Sequence, residues 1–235
     1  MGRKLEWAGS GKHMGGIPRK MVFMAVGGFA KAVANLLNTT SVHNADTLVH
    51  LVRSRPPGVP LITVSNHMST LDDPVMWGFP GFPSFDANLA RWVLAAEDIC
   101  FKNSVLSYFF RLGKCIPITR GAGIYQEHMN EALEHLGNGA WVMPENYWFG
   151  RRPPFPLCNK RINIVVGEPI EFELPKMRQM AISMSRKLHF PSKGWPSISY
   201  YGLDETAQRC LYMAISEKIQ NVMESLRCLG KSFLK

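Results

Sequence analysis

Paired cysteines, internal repeats and acidic residues are all scarce in this chain, and each shortage narrows what it can be. Its five cysteines, Cys100, Cys115, Cys158, Cys210 and Cys228, are odd in number, widely spaced and free of any C-x-x-C pair. That pattern argues against a disulfide framework and a zinc site, so no bound metal is expected and a reducing compartment fits. Without a repeat or a low-complexity tract, a solenoid or a disordered array is not expected. Acidic residues number 18 against 27 Lys and Arg, a formal charge of +9. The imbalance favours an anionic partner, either nucleic acid or a phospholipid surface. The basic residues are scattered and no nucleic-acid module is visible, which argues against nucleic acid. No apolar stretch with a small-residue cleavage site stands near the start, so a cleavable signal peptide is not expected. Glu6 occupies the place where myristoylation at Gly2 needs Ser or Thr.

What is present points to a folded domain. Hydrophobic residues make up 46% and charged residues 19% of 235 positions, enough for a sizeable core. Thirteen Phe, thirteen Met and six Trp lean toward an acyl-chain environment. The most apolar stretch is "MVFMAVGGFAKAVANLL" (21–37), interrupted by Lys31. At about 17 residues it stands at the lower limit for crossing a bilayer, so a helix lying in one leaflet is expected, with a buried core helix as the alternative.

Helices are expected over 43–55, with Asn44 as N-cap, over 104–113, closed by Gly113, and over 125–139, with Met129, Leu133 and Leu136 on one side. Apolar, β-branched runs at 60–64, 114–119 and 162–170 read as strands, and 91–99 as a strand turning into a helix. Residues 176–203 lack a steady period and read as an irregular linker. Residues 204–235 read as an amphipathic helix capped by Asp204. The alternation predicts an α/β fold, a mixed, largely parallel sheet flanked by helices. The expected segments are 1–42 (basic segment and interfacial helix), 43–175 (α/β domain), the linker and the final helix.

The densest chemistry is "VSNHMSTLDDP" (64–74), directly behind the first strand. A strand ending there delivers Asn66 and His67 to its carboxyl end, where α/β folds place ligands. Ser69 or Thr70 can cap a following helix, with Asp72 and Asp73 in its first turn. Five residues of ideal helix turn about 140°, so His67 and Asp72 can face each other only across a corner. A carboxylate on one imidazole nitrogen fixes the tautomer and raises the basicity of the other, which makes a general base. A bare H-x₄-D is also compatible with a structural histidine beside a capped helix.

"NHMSTLDDP" resembles the first motif of glycerophospholipid acyltransferases, in the form of the tafazzin branch. "SVHNADTL", "PLITVSNH", "WVLAAEDICF" and "LGKCIPITRG" (112–121) are similar to the same branch. "GRRPPFPLCNKRINIVVGEPIEF" is similar to its plant members, which include proteins of the N-acylphosphatidylethanolamine synthase type. The resemblance implies acyl transfer onto or between glycerophospholipids, with His67 as base and Asp72 as its orienter. It implies that Arg120 holds the phosphate of the lipid acceptor, as a guanidinium fork can, with Gly121 letting the backbone approach. Asn66, Ser69, Asp73 and Gly113 are the other substrate-binding positions it implies. No bound cofactor is implied; the acyl donor is acyl-CoA or a phospholipid, and the acceptor a lysophospholipid or an amine-bearing lipid. Its partner is a phospholipid membrane, mitochondrial by first expectation, with plasma membrane and endoplasmic reticulum as alternatives.

The chain departs from the family at one place. Trp141 runs almost directly into "MPENYWFGRRP" (143–153), whereas the family interposes a Phe-Pro-Glu-Gly motif, a helix and a further strand. This implies an internal deletion near 141–142 of at least one β-α-β unit, about 30 residues or more. Pro144-Glu145 mimics part of the lost motif, but its neighbours match the later loop, so Glu145 is given no catalytic role. The alternative to an enzyme is a catalytically impaired isoform acting only at the membrane surface.

Overall fold

The computed structural model describes residues 5–66, 72–144, 158–187 and 202–233. The chain divides into two compact units, Met1–Val166 and Gly167–Lys235.

In the first unit, the short α1 (Glu6–Gly9) and a 3₁₀ turn (His13–Gly16) lead into α2 (Ile17–Ala32), whose end widens into a π-helical stretch, Val33–Leu37. There follow β1 (Thr39–His43), α3 (Ala45–Arg53), β2 (Leu61–Ile62), α4 (Asp72–Val75), β3 (Trp92–Ala96), α5 (Glu97–Cys100), α6 (Ser104–Leu112), β4 (Cys115–Ile118), α7 (Glu127–Gly137), β5 (Trp141–Met143) and β6 (Arg161–Val165). The second unit pairs α8 (Leu174–Ser185) with α9 (Glu205–Ser232) around Ala181, Leu203, Ala207, Cys210 and Leu211. Asp204 caps α9, its carboxylate accepting from the Ala207 N–H at 2.7 Å.

Two parallel sheets carry the first unit. One pairs β1 with β6 from Thr39↔Arg161 to His43↔Val165. The other has the order β2-β5-β3-β4. Here β5 fills the centre, matching Leu61↔Trp141 on one side and Trp92↔Val142 on the other. The parallel α/β class expected from the sequence is therefore the one observed.

Side chains alternate across this sheet as the pleat demands. Trp92, Leu94, Ile116 and Val142 face α7 and bury Ala132, with Met129 and Leu136 packed against them. Trp141 and Met143 face the other way, into a cluster with Leu48, Val52, Trp77, Phe79 and Phe82.

The His13–Leu37 stretch is 25 residues long and holds an 18-residue window of mean hydropathy 1.4, long and apolar enough by composition to cross a membrane. One face of α2 is docked on the unit. At Gly78 a Cβ would stand 2.2 Å from the Ala30 carbonyl, so only glycine permits this approach. Asn35 donates to the Gly78 carbonyl at 2.8 Å, and buried Arg19 donates to the carbonyls of Gly9 and Leu112. The other face exposes Ile17, Met21 and Met24.

Several local expectations change. The strand expected over 60–64 contracts to Leu61–Ile62, the residues that pair in register with β5, and Thr63 beyond them still donates its N–H to the Val142 carbonyl at 3.3 Å. Leu133 is exposed, and Ala132 takes the buried place on α7. Asn44 stands at the start of α3 in a left-handed backbone (φ 59°) and accepts from the Thr47 hydroxyl instead of capping an amide. Residues 174–185, partly within the stretch read as a linker, form α8, a helix whose buried face is essentially Ala181.

Candidate active site

In a parallel sheet every carboxyl end points the same way, so β2, β3, β4 and β5 deliver their following residues to one edge. Beyond β2 come Ser65 and exposed Asn66. Beyond β3 comes α5 with Asp98, and beyond β4 the turn holding Arg120 and Gly121. His67 and Ser69 lie outside the described residues, as does Glu145. Asp72 is half-buried and opens α4; its carbonyl accepts from the Met76 N–H at 2.8 Å. Both acids of the motif thus stand in the first helical turn, where the helix dipole favours negative charge.

Asp73 turns inward. Its Oδ1 accepts from Arg91 Nε at 3.0 Å and from the Trp77 indole N–H at 3.2 Å. Beside it lies a partly open cavity of about 240 Å³. Phe23 and Val26 of α2 and Phe109 and Phe110 of α6 form its walls, and Val93 and Cys115 of the sheet line it. Asp73, Ser84 and Arg91 supply its polar side, and Gly113, the residue closing α6, lies against it. Burial pushes the Cys115 thiol far above its ordinary value, so at neutral pH this cysteine is a protonated, apolar surface and not a nucleophile. A cavity with apolar walls and few convergent polar groups suits a hydrocarbon chain whose reactive end lies at the polar side.

Arg120 occupies a different place. It is exposed on the turn after β4 and ion-paired with Asp98, and it does not line the cavity. The Arg120 hydrogen bond holds the Asp98 carboxyl below its ordinary range. Gly121 follows with φ +81°, a left-handed turn position, and the Thr119 N–H donates to Gln126 Oε1 at 2.8 Å. Asp72, Asp73 and Gly113 therefore cluster around the first motif and the cavity, while Arg120 and Gly121 form an exposed basic corner on the neighbouring strand end.

Sequence reasoning missed Arg91 and Trp77, the partners of Asp73, and Lys114. Burial, reinforced by the nearby Arg19 charge, lowers the Lys114 amine to about 8. It donates to the Ala90 carbonyl at 2.8 Å and stands 5.8 Å from the Trp92 ring centroid. No periodicity marks such residues; only the φ of +61° at Lys114, which no local motif announces, sets it apart.

The acyltransferase family profile matches residues 41–146, a range that includes the strand ends carrying these groups. The chain is 54% identical to the N-acylphosphatidylethanolamine synthase of Arabidopsis thaliana over 282 aligned positions, 98% of this chain and 99% of that protein. It is 45% identical to Drosophila melanogaster tafazzin over 124 positions, 52% of this chain and 33% of that one. Against the Dictyostelium discoideum protein named taffazin the identity is 42% over 130 positions, 54% of this chain and 45% of that one. The chain belongs to the acyltransferase family, and acyl transfer is its class of chemistry. The alignment of 282 positions exceeds the 235 residues present by 47, so at least that many positions face a gap in this chain.

Proposed function

We propose that this chain transfers a fatty acyl group to a glycerophospholipid acceptor, a lysophospholipid or a phosphatidylethanolamine-type lipid, at the corner between β2 and α4. The observation carrying this reading is the apolar cavity whose polar side is formed by the residue next to Asp72. His67, oriented by Asp72, takes the proton of the acceptor's hydroxyl or amine. The freed lone pair attacks the acyl carbonyl, and the leaving group departs as a coenzyme A thiolate or a lysophospholipid alkoxide that then takes up a proton. The cavity holds the acyl chain, and Arg120 at the neighbouring strand end pairs with the acceptor phosphate, exchanging Asp98 for it. The names of the relatives, a phosphatidylethanolamine-modifying synthase and two tafazzins, support a phospholipid acceptor.

Membrane attachment belongs to this reading. α2 is tied to the unit along one face while Ile17, Met21 and Met24 project from the other, an arrangement suited to lying in one leaflet rather than crossing it. The +9 charge adds attraction to anionic lipid.

A second reading, a membrane-surface protein without transfer activity, is favoured by the shortfall of 47 aligned positions, which we place near 141–142. β5 closes the sheet with only three residues there. Acyl transfer from labelled acyl-CoA or labelled phospholipid, measured on vesicles holding lysophospholipids and phosphatidylethanolamine, separates the two readings. Native protein should transfer, and His67→Ala should abolish transfer while still pelleting with the vesicles. Equal activity in both proteins refutes the base assignment, and inactivity of the native chain selects the second reading.

A further inference from the structure

Asp73 stands beside Asp72 in the chain, yet one oxygen of its carboxylate is turned into the fold. Arg91 Nε and Nη2 and the Trp77 indole N–H all donate to the same oxygen, Oδ1. Arg91 Nη2 also reaches the Asp73 main-chain carbonyl at 3.3 Å. The guanidinium lies over the Trp77 indole, 4.5 Å from the ring centroid. Side-chain exposure is 11% for Arg91 and 33% for Asp73, so the pair is shielded enough to be more than a surface ion pair.

The position of these partners gives the network its meaning. Arg91 immediately precedes β3, whereas Asp73 lies within α4 and Trp77 just beyond it. One guanidinium therefore binds side chain and main chain of the first turn of α4 and anchors both to the sheet. α4 has four residues, far too few to hold helical geometry unaided. Asp72 is its first residue, and its position follows from what holds its neighbour. A fork with two parallel donors and a stacking plane does this; an ammonium, a single point of charge, does not.

We propose, resting on the acyl-transfer reading above, that Arg91 is a positioning residue: through Asp73 it clamps the first turn of α4 and so sets the placement of Asp72 at the catalytic corner. Asp73 is then the anchor of the motif, a role different from contact with the acceptor.

The test uses the full chain as native protein, Arg91→Lys and Asp73→Asn, the last keeping the shape of the anchor while removing its charge. Hydrogen exchange at the Met76 amide, which bonds to the Asp72 carbonyl, reads the first turn directly, with the sheet amides of Leu94 and Ile116 as internal reference. Arg91→Lys and Asp73→Asn should each speed exchange at Met76 by about tenfold or more while the reference amides keep their rates. In vesicle assays each should lower kcat by about 100-fold, with KM far less affected and vesicle binding retained. Unchanged exchange at Met76, equal acceleration at Leu94 and Ile116, or faster Met76 exchange with native kcat would each overturn the proposal. If the native chain transfers nothing, the functional reading fails on its own account, and Met76 exchange still decides whether the clamp exists.

Discussion

Where β3 and β4 form the four-stranded sheet, its two faces are packed to different standards, although Trp141 and Met143 of β5 are buried on the looser face too. Toward α7, Trp92, Leu94, Ile116, Ala132 and Val142 close on one another and are all buried. Toward α2, α4 and α6, Val93 and Cys115 look into a void of about 240 Å³. Apolar side chains bordering a void forgo the dispersion contacts that a filled core provides. The same strands thus build stability on one face and keep room on the other. The cavity is also where this face meets the half-exposed helix α2 and Asp73 of the first motif. The difference teaches that the odd and even positions of β3 and β4 answer to different demands.

Substitutions on opposite faces test that division. Ile116 is completely buried on the filled face, and Ile116→Ala should cost about 2–5 kcal/mol, measured by denaturant unfolding, without changing which acyl chains are accepted. Cys115→Phe places a ring into space that already exists, so its cost should be about 1 kcal/mol or less. The variant should instead discriminate against long acyl donors in a chain-length series. If Cys115→Phe destabilised the protein as much as Ile116→Ala, the two faces would not differ in the way described.

The smallest effect concerns Lys114, whose ammonium stands over Trp92 at the margin of the filled face. Burial lowers this group to about 8 in the folded state. Its unfolded value is about 10.4, so between these limits the unfolded chain binds more protons than the folded one. Stability contributed by this group therefore rises with pH from about 8 to about 10, by at most about 1.4 kcal/mol per pH unit. Lys114→Met should remove that rise, seen as a smaller gap between unfolding midpoints at the two ends of the window.

Much of this division was legible in the sequence because local pattern specified it. The apolar periods of α6 and α7 and the apolar runs at β3 and β4 coincide with elements that carry the two faces, and the runs at β6 and α9 coincide with elements elsewhere in the chain. β1 was not legible, because "TTSVH" is polar and becomes a strand only by pairing with β6 far along the chain. α8 was missed because a helix that buries little beyond one alanine leaves a weak periodic trace. At the site, the first motif and the basic corner are local strings and could be read as such. Arg91 could not: it lies 18 residues from Asp73, and only the docking of α4 beside β3 brings them together.

The strand order β2-β5-β3-β4 also fixes a sequence of assembly. β3 and β4 can pair as soon as α6 connects them, but β2, made earlier, has no neighbour until α7 is complete and β5 emerges. β1 waits longer still, since Asn38 at its threshold binds the Lys160 N–H, a partner 122 residues away. On a growing chain delivered at about 5–20 residues per second, the apolar α2 and the strand leading to His67 therefore spend seconds without the surfaces that later cover them. Such long-range closure slows folding and leaves sticky intermediates in the meantime. A nascent chain of this kind benefits from an apolar surface that is available before its own core exists, and under the membrane attachment proposed above a bilayer supplies one.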